Sequence, residues 1–453
     1  MPKQNMAIVN FKPTAKTTIK NKAVLSAMAC TVILLGACEN KNTANLDTAP
    51  TVEQETPLDP HATTATDAAW QLANQGLQAC VADSQQLRSM IRQLLEAPSA
   101  DTLNQSRAAW RQAHTDILAF SVFFSLADSN PGLFGELASH RYNLDAHPIQ
   151  PGFIDYFDVY PVSGIVNDMA ITLSAEALRQ QHGITDDSDV SIGFHAMEYL
   201  LWGEHGERPP TDFVSANTVN SEQAQQGLRV VDLPNNRRRV YLQLLAELLI
   251  DDCTRLAQFW QDPTQVLLIN YQSLQTGSRL QLWQAAINAV VNNIEAALTP
   301  VPVTAEDNQA DTLATEADGE ATSADDFVQH NIYADQEARV IAAQLRGLAM
   351  LLYGNPDSED QDPANQLAAW IKLPAATPTT DQPAPLLVLQ DSFKQVIAML
   401  SSQSSWPLAE ADLKTVQTLL TAIQAAVQPT PLPTLESDPT ETTEPDQEPQ
   451  PSR

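Results

Sequence analysis

Positive charge is what this 453-residue chain has least of: 25 lysines and arginines stand against 55 aspartates and glutamates. Binding nucleic acid takes a basic stripe that neutralises phosphates, and the only dense basic cluster is Arg237, Arg238 and Arg239 at the start of an expected helix. Nucleic acid is therefore excluded as a partner. Glycine is scarce too, at 15 residues, and forms neither a phosphate-cradling loop nor a serine nucleophile elbow. The zinc-peptidase helix signatures H-E-x-x-H and H-x-x-E-H are missing. No segment sustains the apolar–polar alternation of a strand, and every patterned segment has a helical period.

The apolar run over residues 23–35 is too short to span a membrane. Lys3, Lys12, Lys16, Lys20 and Lys22 precede it, and it ends in Leu35-Gly36-Ala37-Cys38, a lipoprotein cleavage box. Residues 1–37 are expected to be a lipoprotein signal peptide. The mature chain would start at Cys38, anchored to a membrane by acyl chains on that cysteine and facing the periplasm of a bacterial cell envelope. Losing five lysines and no acid would move the net charge from −30 to −35. Of four cysteines, Cys80 and Cys253 then remain, and an oxidising compartment allows a disulfide between them; the alternative is two buried thiols.

Residues 38–66 read as a disordered tether. From Asp67, the apolar positions Trp70, Ala73, Leu77, Cys80, Leu87, Ile91 and Leu94 recur at helical spacing up to Pro98. A second amphipathic helix, with Asp101 as its cap, runs to Asn130-Pro131-Gly132. Further helices are expected over 165–181, 190–202, 235–262 and 280–298, completing a first bundle over 67–300. An acidic linker or insertion at 301–326 separates it from a second bundle half over 327–428, and residues 429–453 form a tail expected to be disordered. The expected fold is all-α, in two helical-bundle halves. Aligning LRGLAMLLYG (345–354) with FHAMEYLLWG (194–203) suggests internal duplication, with Arg346 and Ala349 where the first copy has His195 and Glu198.

The stretch SIGFHAMEYLLWG (191–203) is apolar except for His195 and Glu198, which at a spacing of three share one helix face; Trp202 continues the stripe. Desolvating both is costly unless a cation, a polar ligand or their mutual hydrogen bond compensates. The irregular stretch before it holds Glu136, His140, Asp145, His147, Asp155, Asp158 and Asp168, each readable singly as a cap or turn residue and together a reservoir of further ligands. His114, on the second helix, reads as a surface or satisfied histidine.

Gly193, His195 and Glu198 form a G-x-H-x-x-E motif. Together with IDYFDVYPVSGIVND (154–168), HGITDDSDVS (182–191) and RRRVYLQLLAELLIDDCTRLAQFW (237–260), it resembles the imelysin family of bacterial cell-envelope proteins. The resemblance implies one of two activities. The first is a metal-binding lipoprotein of iron acquisition, with His195 and Glu198 on the metal and envelope iron-uptake components as partners. The second is a metallopeptidase using the same two ligands, with the third ligand and the general base among Glu136, His140, Asp145, His147, Asp155, Asp158 and His205. The donor types suit iron, manganese or zinc alike. A third reading is a structural envelope module in which His195 and Glu198 bond only each other. The metal-binding reading is preferred, because it needs no complete catalytic set.

Overall fold

Helix α1 (Pro60–Glu96) starts where Asp59 accepts a hydrogen bond from the His61 N–H and Pro60 fills the first helical position. That is earlier than Asp67: Ala62, Ala65 and Thr66 extend the buried stripe, and the Thr66 carbonyl accepts the Tyr271 hydroxyl. The expected tether therefore ends before this segment. The computed structural model describes residues 59–157, 160–299, 337–354, 363–371, 385–403 and 406–427. The expected signal peptide, Cys38, most of the tether, the acidic linker, the tail and Asp158 lie outside the described residues.

Helix α2 (Ala100–Ala119) follows after a three-residue link, so α1 and α2 form a hairpin. Its cap is Ser99, in a reciprocal capping box with Thr102, rather than Asp101. Phe120 breaks the line, and α3 (Ser121–Ser129) continues from it. Helix α4 (Glu136–Asp145) and the motif helix α5 (Gly193–Trp202) come next. Helix α6 (Pro234–Gln261) packs along α1, and a Cys80–Cys253 disulfide joins the two. Helix α7 (Thr276–Ala297) packs on α3.

The single helix expected over 165–181 is two short ones, Gly164–Asn167 and Ala175–Gln181. The cause is Arg237: its guanidinium donates to the carbonyls of Ile165, Val166, Asp168 and Ile171, groups a continuous helix would have used internally. Ser174 then caps the second piece.

In the second half, α8 (Glu337–Tyr353) lies against α2 and α9 (Gln390–Ser401), and α10 (Glu410–Val427) against α7. Gly347 lets α8 cross α2 closely, because a Cβ there would collide with the Ala119 carbonyl. The halves share one core, in which Trp70, Phe124 and Trp283 belong to the same apolar cluster as Leu348, Phe393 and Leu420. Helices α5 and α8 also end alike: Gly203 and Gly354 both have positive φ and donate their N–H to Tyr199 and Met350. Among the described residues there is no strand, only an isolated bridge between Phe157 and Tyr160. No described helix is long and apolar enough to cross a membrane.

Candidate metal centre

Gly193 decides the site. Its φ is +86°, and a Cβ on it would stand 2.7 Å from the Leu144 carbonyl oxygen and 2.8 Å from that of Asn143. Only glycine lets the first turn of α5 sit directly on the last turn of α4. That contact carries Asp145, the last residue of α4, up to His195. Helix α2 brings His114 to the same place.

One carboxylate oxygen, Asp145 Oδ1, lies 2.8 Å from His114 Nε2 and 3.2 Å from His195 Nε2. On the far side of the ring, His195 Nδ1 is 2.8 Å from Glu198 Oε2. The potential ligand atoms of His114, Asp145 and His195 all lie within 4.8 Å of one another. His114, His195 and Glu198 are fully buried, and Asp145 is 12% exposed. Burial alone would push the His195 imidazolium down, but hydrogen bonds and charge from Asp145 and Glu198 outweigh it and raise it to about 9. Near neutral pH the ring therefore donates to a carboxylate from each nitrogen.

Aromatic packing fixes these rings. Trp110 donates its indole N–H to the Phe194 carbonyl at 2.9 Å, and its ring centroid is 4.6 Å from that of His114. The rings of His114 and His195 meet edge to face at 5.1 Å. Trp202 stands 5.2 Å from Trp110, and the Arg107 and Arg111 guanidiniums lie 5.4 and 5.1 Å from its centroid. It is a wall of the site and offers no ligand atom.

The other sequence candidates divide. His147 is exposed beside the cluster, its ring 5.5 Å from that of His195. His140 instead stacks on Phe259 of α6, with the exposed Glu136 near it. His205 is mostly exposed, 3.9 Å from Glu204. Asp168 caps Ala170 with its carboxylate and supplies Arg237 with its carbonyl. None of these three histidine and acid neighbourhoods joins the cluster. His114 is the residue the sequence reading missed, and it contributes the ring that completes the set.

Asp155 belongs to a separate buried network. Arg238 grips it with Nε at 2.6 Å and Nη2 at 3.0 Å, and Arg208 reaches it at 3.0 Å. Gly164 makes room, because a Cβ there would run into the backbone of Ile154 and Asp155. Arg208 also donates to the Tyr199 carbonyl, and Arg107 donates to that of Leu201 at 2.9 Å. Two cations thus close the C-terminal end of α5. The network holds the motif helix in place without touching the histidines.

An acidic cleft of about 760 Å³ opens between the halves, bounded by α2, α3, α4, α7 and α8. Asp145 and His147 line it, with Asp128, Asp186, Asp187 and Glu337. Arg141 is committed to Asp128 at 2.7 Å. His195 and Glu198 are not in the lining of the cleft and sit behind Asp145. A larger cavity of about 1080 Å³ between α1 and α6 has no histidine in its lining.

Fold and site together define an all-α protein whose buried histidine–carboxylate cluster, of metal-ligand donor types, adjoins an acidic cleft. The chain belongs to the imelysin family, whose profile, Imelysin, matches residues 73–382. Among solved structures, a protein described as an iron-regulated protein A precursor from Parabacteroides distasonis is similar at 12% identity. That match covers 83% of this chain and 95% of the other with a TM-score of 0.54, and it shows a shared fold. An imelysin-like protein from Psychrobacter arcticum is similar at 16% identity over 81% of this chain and 92% of the other, with a TM-score of 0.48. No curated protein sequence matches the chain.

Proposed function

We propose that this imelysin-family chain binds a divalent metal ion, iron foremost, as a lipid-anchored envelope protein serving iron acquisition. The ligands are His114 Nε2, a carboxylate oxygen of Asp145 and His195 Nε2. Glu198 takes the outer position, accepting the His195 Nδ1 proton so that Nε2 faces the ion, and raising its basicity. The observation that carries the reading is that these three donors come from three helices and converge within 4.8 Å in a buried place. A bound cation would replace the protons that now separate Asp145 from two imidazoles. Mixed nitrogen and oxygen donors suit iron, manganese or zinc, and a relative of the same fold is described as iron-regulated. Anchoring through Cys38 and work alongside envelope iron-uptake components complete the proposal.

The test is metal analysis of protein purified without chelator, followed by titration of Fe²⁺ and Zn²⁺ into the parent, His195→Ala and His114→Ala. One ion per chain in the parent and none in either variant is expected. Equal binding by all three would refute the site. A peptidase assay on the same samples addresses the hydrolytic alternative, which requires cleavage by the parent and loss in both variants.

A further inference from the structure

We propose that His147 is the fourth ligand of this centre and closes over the ion from the cleft. The inference rests on the metal-binding reading and adds to it a residue and a consequence.

The first argument is tautomer chemistry. His147 Nδ1 lies 3.0 Å from the Asp145 backbone carbonyl oxygen. A carbonyl oxygen only accepts, so Nδ1 carries the proton and the lone pair of the neutral ring is on Nε2. Metal-ligating histidines are commonly set up in this way, with the second nitrogen donating to a backbone carbonyl.

The second argument is spacing. Two imidazoles on one tetrahedral ion, each bound at about 2.0–2.1 Å, have ring centroids roughly 5 Å apart. His114 and His195 already stand at 5.1 Å, and His147 and His195 at 5.5 Å. Both ring pairs that include His195 thus have the spacing of a shared ion before one is present, while His147 itself stands outside the 4.8 Å group of His114, Asp145 and His195 and joins it by turning its ring inward.

The third is access. His114 and His195 are buried, whereas His147 is exposed and lines the acidic cleft together with Asp145. An exposed side chain changes rotamer in picoseconds to nanoseconds, so His147 can admit a cation drawn in by Asp186, Asp187 and Glu337 and then coordinate it. Three protein ligands with an open position make a hydrolytic zinc site, and four make a closed one. With His147 in place the centre carries metal and does not activate water.

The experiment uses Co²⁺, whose visible absorption is intense when four-coordinate and weak at higher coordination. Parent, His147→Ala and His195→Ala are titrated, with circular dichroism as the control for folding. The parent is expected to give the intense spectrum. His147→Ala should bind at least about tenfold more weakly, with a weakened band restored by added imidazole, which the cleft can admit. His195→Ala should not bind. Parent-like affinity and spectrum in His147→Ala would overturn the fourth ligand and leave the metal site standing. No Co²⁺ binding by the parent would overturn both.

Discussion

Gly193 and Leu144 touch so closely that no side chain fits between them: a Cβ on the glycine would lie 2.7 Å from the leucine carbonyl oxygen. The relationship explains why a motif of histidine and glutamate includes a glycine two residues before the histidine. Glycine seats one helix on the end of another, and the end of that other helix is Asp145.

Replacing Gly193 by alanine should therefore cost stability and function together. Positive φ and the collision amount to about 1–3 kcal/mol of strain, visible as a lower unfolding temperature. Metal affinity should fall as well, because Asp145 would be pushed from His195. A variant that melts earlier but binds metal like the parent would show that this junction does not place the carboxylate.

Glu198 and His195 should behave differently when changed one at a time. His195→Ala removes a ligand and should abolish binding. Glu198→Gln keeps an oxygen that accepts from Nδ1 but loses the charge, so affinity should fall by about 10–100-fold without vanishing. Calorimetric titration separates the cases. Complete loss in Glu198→Gln would make Glu198 a direct ligand, as the sequence alone suggested.

The motif helix was legible because two ionisable groups in an apolar run break the pattern of a core helix, and Asp145 and His147 were legible as members of a ligand-rich stretch just before it. His114 was not, although it shows the same signal. It follows Ala113 and lies between Trp110 and Ile117 on the buried face of α2, and a polar residue there needs a partner. That partner, Asp145, is 31 residues away, a distance no periodicity reports. The Asp155 network was illegible for the same reason: Arg238 lies 83 residues on. Arg237 likewise splits the helix expected over 165–181 from 66 to 72 residues away, overriding local helical pattern by tertiary hydrogen bonding. All-α architecture survived these errors because it depends on the period of many residues rather than on any one pairing.

Asp155→Asn should be among the most destabilising single changes. It leaves Arg208 and Arg238 buried with much of their countercharge gone, and breaking a buried ion pair from one side costs about 3–5 kcal/mol. Chemical denaturation should show the loss. Whatever fraction remains folded should still bind one metal ion, because the network holds α5 from its C-terminal end and none of its members belongs to the ligand set. Loss of metal binding in well-folded Asp155→Asn protein would contradict the separation of the two sites.

The Cys80–Cys253 bond closes 173 residues of chain between α1 and α6. In the chain-entropy account a loop of that length contributes about 5 kcal/mol. A Cys80→Ala, Cys253→Ala double variant should unfold at markedly lower denaturant concentration with its helical circular dichroism spectrum unchanged. Mass spectrometry of oxidised parent should find no free thiol at either position. Two reactive thiols in that sample would remove the staple from the account.

The last prediction concerns pH and follows from His195, whose imidazolium is raised from an ordinary 6.5 to about 9. The folded state holds this proton more tightly than the unfolded chain does. Its contribution to stability is thus fully present below about pH 6.5 and is lost as pH rises through about 9. Metal-free protein should melt progressively earlier across that interval, and His195→Gln should flatten the curve. A cation at Nε2 must displace the proton shared with Asp145, so ion and proton compete. The rise in melting temperature on adding a fixed excess of Mn²⁺ should therefore grow from pH 6.5 to 9 and then level off. The measurement is a pH series of thermal denaturation with and without Mn²⁺. A metal-induced shift that stays constant over the interval would mean that the ion does not take the place of the His195 proton, and that Asp145 and His195 bond each other whether or not metal is present.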